Sequence, residues 1–290
     1  CISSMKSEWI DIYAHKRFRT EVYMKKYRSF FRLRLNMGMQ YRTAAAAGMV
    51  TQFVWGIMEV LALRAFYESD PAAFPMTLQA ACSYVWLQQA FLALFMGWVM
   101  ENEIFGAILD GNIAYELVRP IRIYPMWYAR SLANRLSRAA LRCVPILIVA
   151  LLVPAPYGLS APAGPASFLW FLFTMILGVL VTVAFTMLIY MLSFFTLSSD
   201  GLRIVFMSVI EFCQGAILPL PFFPDGIRQF MELLPFASMQ NVPLRAYSGD
   251  LSGAALQKAI LLQFFWLIAL IALGRLLERF ALKKVVVQGG

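Results

Sequence analysis

The stretch GAILPLPFFPD, Gly215 to Asp225, closes a run apolar enough for a membrane interior, yet three of its eleven residues are proline. One proline inside a helix costs ~3 kcal/mol, because it removes an amide donor and crowds the preceding turn. Broken backbone at membrane depth is tolerated only where protein covers it or where it lines a cavity. Downstream, Pro235 and Pro243 prolong the interruption. The sequence therefore predicts a span that ends near Pro219–Pro221, turns, and sends short helices back toward the outer leaflet. Ile227, Phe230, Met231 and Leu234 give such a helix an apolar side. A plain external loop would leave Phe222, Phe223, Phe230, Leu233, Leu234 and Phe236 in water. The expectation is an outer re-entrant lid over residues 219–258, carried by Gly215, Pro219, Pro221, Pro224, Pro235 and Arg245.

The rest of the chain makes a bilayer its main solvent. Of 290 residues, 61% are apolar and 14% charged, and the mean hydropathy is +0.68. A soluble domain has about 45–50% and ~25%. The net charge of +9 would raise the question of nucleic acid in a soluble protein. Here the cations cluster between apolar blocks, so no nucleic-acid partner is expected. Cys1, Cys82, Cys143 and Cys213 have no metal-ligand spacing. They read as packing residues, and no metal site is expected.

A hydrocarbon core of ~30 Å needs about 20 apolar residues as a helix. Six blocks answer to this: Ala44–Phe66, Gln79–Met100, Ala139–Ala155, Ser167–Phe195, Ile204–Leu220 and Ala259–Leu277. With the N-terminus inside, one side receives ten Lys/Arg before the first block, six from Arg119 to Arg142, Arg203, and four from Arg275 to Lys284. The other side receives Arg64, Arg228, Arg245 and Lys258. By the positive-inside rule both termini are cytoplasmic; a lipidated Cys1 would contradict this. Residues 1–43 read as a basic cytoplasmic leader without a secretory core, and residues 44–290 as one six-span domain. Within the leader, KKYRSFFRLRLNMGMQYR places Tyr27, Phe30, Phe31 and Leu35 on one helical stripe, with Lys25, Arg28, Arg32 and Asn36 largely opposite. That pattern predicts an interfacial helix in contact with membrane lipids.

Catalytic chemistry is missing. His15 is the sole histidine and lies in the leader, so Ser160 in GLSAP has no base on its side of the membrane. No Gly-Lys dipeptide occurs, which removes the phosphate-cradling GxxxxGK[ST] loop. Within the spans, Glu59 and Glu211 are costly enough to require a partner or a cavity. They either line a substrate path, together with Gln214, or join helices through hydrogen bonds. Arg64 is expected to snorkel to headgroups, and Gln88, Gln89, Gln214 and Gln263 to bond between helices.

A second segment asks for a partner. In residues 101–138, on the cytoplasmic side, Glu101 and Glu103 mark the exit from the bilayer, and Ile104, Phe105, Ile108 and Leu109 form an apolar stripe at helical spacing. Gly111 offers a helix stop, and Arg119-Pro120 a boundary before the next helical stretch. The alternatives are a lever docked into another protein and a helix resting on lipid.

Two motifs in these segments carry a resemblance. The cytoplasmic one, G-x-I-x-x-x-L-x-x-P, reads Gly111-Asn112-Ile113 to Leu117-Val118-Arg119-Pro120; the other runs through Gly215, Pro219, Pro224, Pro235, Leu244-Arg245 and Gly249. With six spans and both ends inside, the chain resembles the membrane subunits of the ATP-binding-cassette type-2 exporters, over most of residues 24–290. It is most similar to the six-span permeases encoded beside an ATPase, often with a second permease. The resemblance implies an all-α permease subunit without an active site of its own, in the bacterial cytoplasmic membrane. ABC ATPase subunits and a second six-span permease, identical or related, would be its partners. This chain would bind no cofactor, ATP and Mg residing on the ATPase. A coupling helix around Ile104–Asn112, flanked by Glu101, Glu103 and Arg119, would transmit ATPase closure. The rival expectation is an ion-gradient-driven transporter or channel using Glu59 and Glu211, without an ATPase.

Overall fold

The computed structural model describes residues 25–119, 121–196 and 198–284, and among these it holds helices and loops without a strand. The leader up to residue 24, with Cys1 and His15, lies outside the described residues. In chain order the helices are α1 (25–38), α2 (Arg42–Ser69), α3 (Leu78–Phe95), α4 (Asn102–Leu109), α5 (Ala114–Leu117), α6 (Ile123–Leu152), α7 (Pro165–Ser193), α8 (Ser199–Cys213), α9 (Asp225–Leu233), α10 (Asn241–Ser248) and α11 (Gly253–Lys284). A short 3₁₀ turn, Leu220–Phe222, precedes α9.

Among the described residues, three helices are long and apolar enough to cross a membrane: Ala45–Ser69 in α2, Pro165–Ser193 in α7 and Gly253–Lys283 in α11. Their burial separates them. The most apolar stretch of α7 is 78% buried within the chain, against 22% for α2 and 17% for α11. An apolar helix that is covered on all sides is a core, and one left bare suits a lipid or protein neighbour. Accordingly α7 is packed by α11, α10, α6 and α3, while α2 leans on α3 and α6.

The fifth apolar block differs from the expected span Ile204–Leu220. α8 has 15 residues, about 22 Å of helix, and falls short of a ~30 Å core by itself. Glycine ends it, ahead of any proline. Gly215 takes φ +82°, and the Ala216 amide donates back to the Glu211 carbonyl (3.3 Å), the outer bond of a Schellman turn. The prolines then hold the following chain open through Pro219 and Pro221, both buried. The third block also differs. The expected span Ala139–Ala155 begins in the middle of a 30-residue helix, α6, that already includes Arg130, Arg135 and Arg138 and ends at Leu152. The second ends early, at Phe95 instead of Met100.

The ends of the helices sort into two sets. At one, Ser83 of α3 meets Ser160 (Oγ to Oγ 2.9 Å), Trp86 Nε1 donates to the Tyr157 carbonyl (2.8 Å), and the Tyr247 hydroxyl of α10 donates to the Ser160 carbonyl (2.8 Å). Ser160 thus ties α3, α10 and the 153–164 loop together. Arg64 sits at this end, over the Tyr157 ring and bonded to Glu68. At the other end, the Tyr27 hydroxyl accepts from the Arg122 amide (3.2 Å), the Tyr124 amide donates to Glu278 (3.0 Å), and Arg203 lies over the Phe105 ring. α1 therefore docks on the start of α6, with Tyr27, Phe30, Phe31 and Leu35 on its packed side and Lys25, Arg28, Arg32 and Asn36 exposed or nearly so.

The Gly215 turn is tight as well as left-handed. A Cβ there would stand 2.8 Å from the Tyr84 hydroxyl. Gly215→Ala should cost at least the ~1–2 kcal/mol of an L-residue in that conformation, read as a lowered Tm in a detergent thermal-shift assay, whereas Gly226→Ala, with open space around its Cα, should leave Tm within error.

Candidate functional site

The cation-bearing end is organised by one arginine. Arg130, on the second turn of α6, has its side chain only 6% exposed and bonds both Glu101 and Glu103, the residues that open α4. Glu101 is nearly as buried as Arg130, whereas Glu103 faces solvent and also lies 3.9 Å from Arg34 of α1. Burial pushes the Glu101 carboxyl above the usual range, against the pull of Arg130. For Arg130 the balance is reversed: burial disfavours its charge, but the two carboxylates outweigh that and hold it protonated. The Glu101 amide donates to the Tyr190 hydroxyl of α7 (2.8 Å). α4 is consequently fixed at its N-terminus to both α6 and α7.

Its apolar stripe is divided. Ile104 and Phe105 are buried in the chain's own core, Phe105 edge-on to Tyr190 (5.0 Å), and Ile108 packs partly against the same cluster. These three position the helix. Leu109 is 49% exposed and Asn112 lies open beyond it. Gly111, at φ +72°, reverses the chain after α4 as its place in the sequence predicts. The short helix α5 that follows carries Tyr115 and Leu117 outward, and then Val118, 82% exposed, and Arg119. Trp127 of α6 donates to Glu116 (2.5 Å) and holds this elbow from below. The bare apolar tip is thus Leu109, the last residue of the expected stripe, together with Tyr115, Leu117 and Val118 of the following elbow.

Arg135, invisible as a structural residue in the sequence, is fully buried. Its Nη1 donates to the carbonyls of Leu94 (3.2 Å) and Met96 (3.0 Å), and its Nη2 to the Val99 carbonyl and the Thr186 hydroxyl (both 2.9 Å). It caps the C-terminus of α3, where free carbonyls and the helix dipole favour a cation. The charge count used Arg130 and Arg135 only to assign a side of the membrane; their recurrence with Asn134, Arg138 and Arg142 at helical intervals was the available signal for an inward-facing stripe.

Deeper in the chain, Glu59 of α2 and Glu211 of α8 line one pocket of about 410 Å³, walled by Trp55, Leu92, Met96, Trp98 and Ile217. Glu59 accepts from Gln88 and Gln89 of α3 (both 3.4 Å). Gln88 also donates to the Ala216 carbonyl (2.7 Å) and accepts from Gln240 (3.0 Å). The expected interhelical glutamine bonds are present, and so is a cavity beside them. Gln214 stands apart from the two glutamates: it is fully buried, its amide reaching the Met96 sulfur (3.7 Å), and does not line the pocket. In the lid segment Pro235 and Arg245 are buried and Pro224 is exposed. Arg245 pairs with Glu232 (2.7 Å) and Asp250 (2.5 Å), which ties α10 to α9 and to the turn that leads into α11.

Residues 53–289 match a family described as ABC-2 family transporter protein. The chain belongs to the ABC-2 transporter family. No curated protein matches it significantly. Membership makes this chain a membrane transport permease, and the geometry just described gives this ABC-2 permease a braced apolar elbow at one end and a polar-floored pocket between α2 and α8.

The brace is testable in this ABC-2 permease. Removing Arg130 leaves Glu101 charged and unpaired at low exposure, which typically costs ~3–5 kcal/mol. Arg130→Gln should therefore lower Tm most at alkaline pH and approach the wild type as pH falls and Glu101 takes up a proton. Adding Glu101→Gln should restore much of the loss and flatten the pH dependence.

Proposed function

We propose that the chain is the membrane half of an ATP-driven exporter, working with separate ATPase subunits that dock on the elbow formed by α4 and α5. The observation that carries this reading is the elbow itself: exposed Leu109, Tyr115, Leu117 and Val118 on a rigid mount, held by Arg130 to Glu101 and Glu103 and by Trp127 to Glu116. An apolar tip exposed at the cationic end suits a protein partner, and its attachment to α6 and α7 gives movement there a route into the spans. Glu103 and Arg119 flank the tip as polar contacts. ATP and Mg would stay on the ATPase, whose closure can drive transport only as far as its affinity differs between the two permease states.

In this reading six segments cross the membrane, α8 doing so with the extended chain to Leu220, and both termini are cytoplasmic. The sidedness is supported by the cations gathered at the α4 end. The bare apolar faces of α2, with Val50, Val54 and Met58, and of α8, with Val205 and Phe212, flank the pocket and would meet a second permease. The pocket would then form half of the translocation path, with α9 and α10 bounding its outer exit. The rival, an ion-driven transporter, draws its support from Glu59 and Glu211 sharing that pocket.

Leu109→Asp with Val118→Asp should abolish copurification of the ATPase subunit while membrane insertion and Tm stay unchanged; retained ATPase would overturn the docking reading. Glu59→Gln should slow nucleotide-driven export without affecting copurification, whereas vectorial transport by the purified chain alone would favour the rival. Cysteines at exposed Gln229 and Ser252 should react with an impermeant thiol reagent from the outside only.

A further inference from the structure

The pocket between α1, α2, α4 and α6, about 420 Å³ in volume, is lined by more guanidinium groups than its carboxylates neutralise: Arg34, Arg130, Arg138 and Arg142 against Glu101 and Glu103. Both carboxylates are engaged by Arg130. Arg34 approaches Glu103 only to 3.9 Å. Arg138 spends its Nε on Asn134 Oδ1 (2.8 Å), within its own helix. Arg142 lies one turn further along α6, and its Nε, shielded from solvent, has no hydrogen-bond partner among the described residues. Its guanidinium rests against α2 where Gly48 leaves room, since a Cβ there would come within 2.6 Å of Arg142 Cζ.

Like charges four residues apart on a helix repel, and a buried donor without an acceptor costs free energy. Both penalties would be relieved by a single anion held between Arg138 and Arg142. The planar guanidinium fork suits the paired oxygens of a phosphate, and Met37, Ala45 and Leu141 supply apolar wall beside the charged floor. We propose that this pocket binds the phosphate of an anionic head group, as a phosphodiester or phosphomonoester, with Arg138 and Arg142 as its principal donors. The ligand's source is either an anionic phospholipid entering past α1, in keeping with basic pockets between membrane helices, or a soluble phosphate ester. The pocket shares Glu101, Glu103 and Arg130 with the brace of the elbow and Arg142 with the wall of the Glu59 pocket, and the proposal stands whether or not an ATPase docks.

The test is native mass spectrometry of the full chain, released from detergent and titrated with phosphatidylglycerol, phosphatidylcholine or inorganic phosphate. Preferential retention of phosphatidylglycerol is expected, with at least a tenfold loss of affinity in Arg138→Gln/Arg142→Gln. Arg275→Gln/Arg279→Gln removes the same charge from exposed positions on α11 and should leave retention unchanged. Arg138→Lys/Arg142→Lys keeps the charge without the fork and should give an intermediate loss, which covers the case in which the glutamine variant does not fold. Phosphate retained through Arg138 and Arg142 without a phosphatidylglycerol preference assigns the site to a soluble ester. Equal loss in the two glutamine variants, or equal retention of the two lipids with no phosphate bound, overturns the proposal.

Discussion

A helix that stops inside an apolar medium leaves carbonyl groups that water cannot reach, and every such group must find a donor within the chain. The structure depends on how two such stops are satisfied. At the end of α3, Arg135 donates to three carbonyls across the turn from Leu94 to Val99. At the end of α8, Tyr84 donates to the Gly215 carbonyl (3.1 Å) and Gln88 to that of Ala216. Both sets of donors come from neighbouring helices. The breaks are therefore points of attachment: α6 is locked to α3 by one, and the segment leading to α9 and α10 is locked to α3 by the other.

Those attachments set the geometry of everything that faces outward. Because α3 ends early at Phe95, the chain can turn through Met96 and Met100 and present α4 across the end of α7, where Tyr190 and Arg130 receive it. Because α8 ends early at Cys213, the chain beyond it runs beside α3 and closes one wall of the pocket that holds Glu59 and Glu211. A buried ion cluster is weak evidence of stability, since desolvation offsets much of its attraction. At Arg130 its contribution is better seen as positional, fixing the angle at which the elbow of α4 and α5 leaves the bundle. The same helix, α6, reaches both pockets through Arg142.

Much of this was legible in the residues. The all-helical membrane character followed from composition, and α7 and α11 from uninterrupted apolar runs. The amphipathic face of α1 could be read from Tyr27, Phe30, Phe31 and Leu35, and the reversal after α4 from Gly111. Family membership was legible in the glycine and proline spacing. Other features were hidden for identifiable reasons. Arg130, Arg135, Arg138 and Arg142 enter a charge count only as cations of one side, because a count ignores which face of a helix each one occupies. The stop at Gly215 was masked by the prolines after it, which attract attention although the left-handed turn comes first. Which part of the stripe Ile104, Phe105, Ile108 and Leu109 stays bare was also hidden, since periodicity marks an apolar face without saying whether the chain or a partner covers it.

The sequence by itself determined the solvent and the segment types, because burying apolar side chains in a bilayer and breaking helices at glycine and proline are local consequences of residue chemistry. Only the tertiary structure decided which cations serve as donors inside the bundle, which apolar residues remain bare at the elbow, and that Glu59 and Glu211 share one cavity. Those outcomes depend on what another helix places within hydrogen-bond or van der Waals reach, and that distance is not a property of any single stretch of chain.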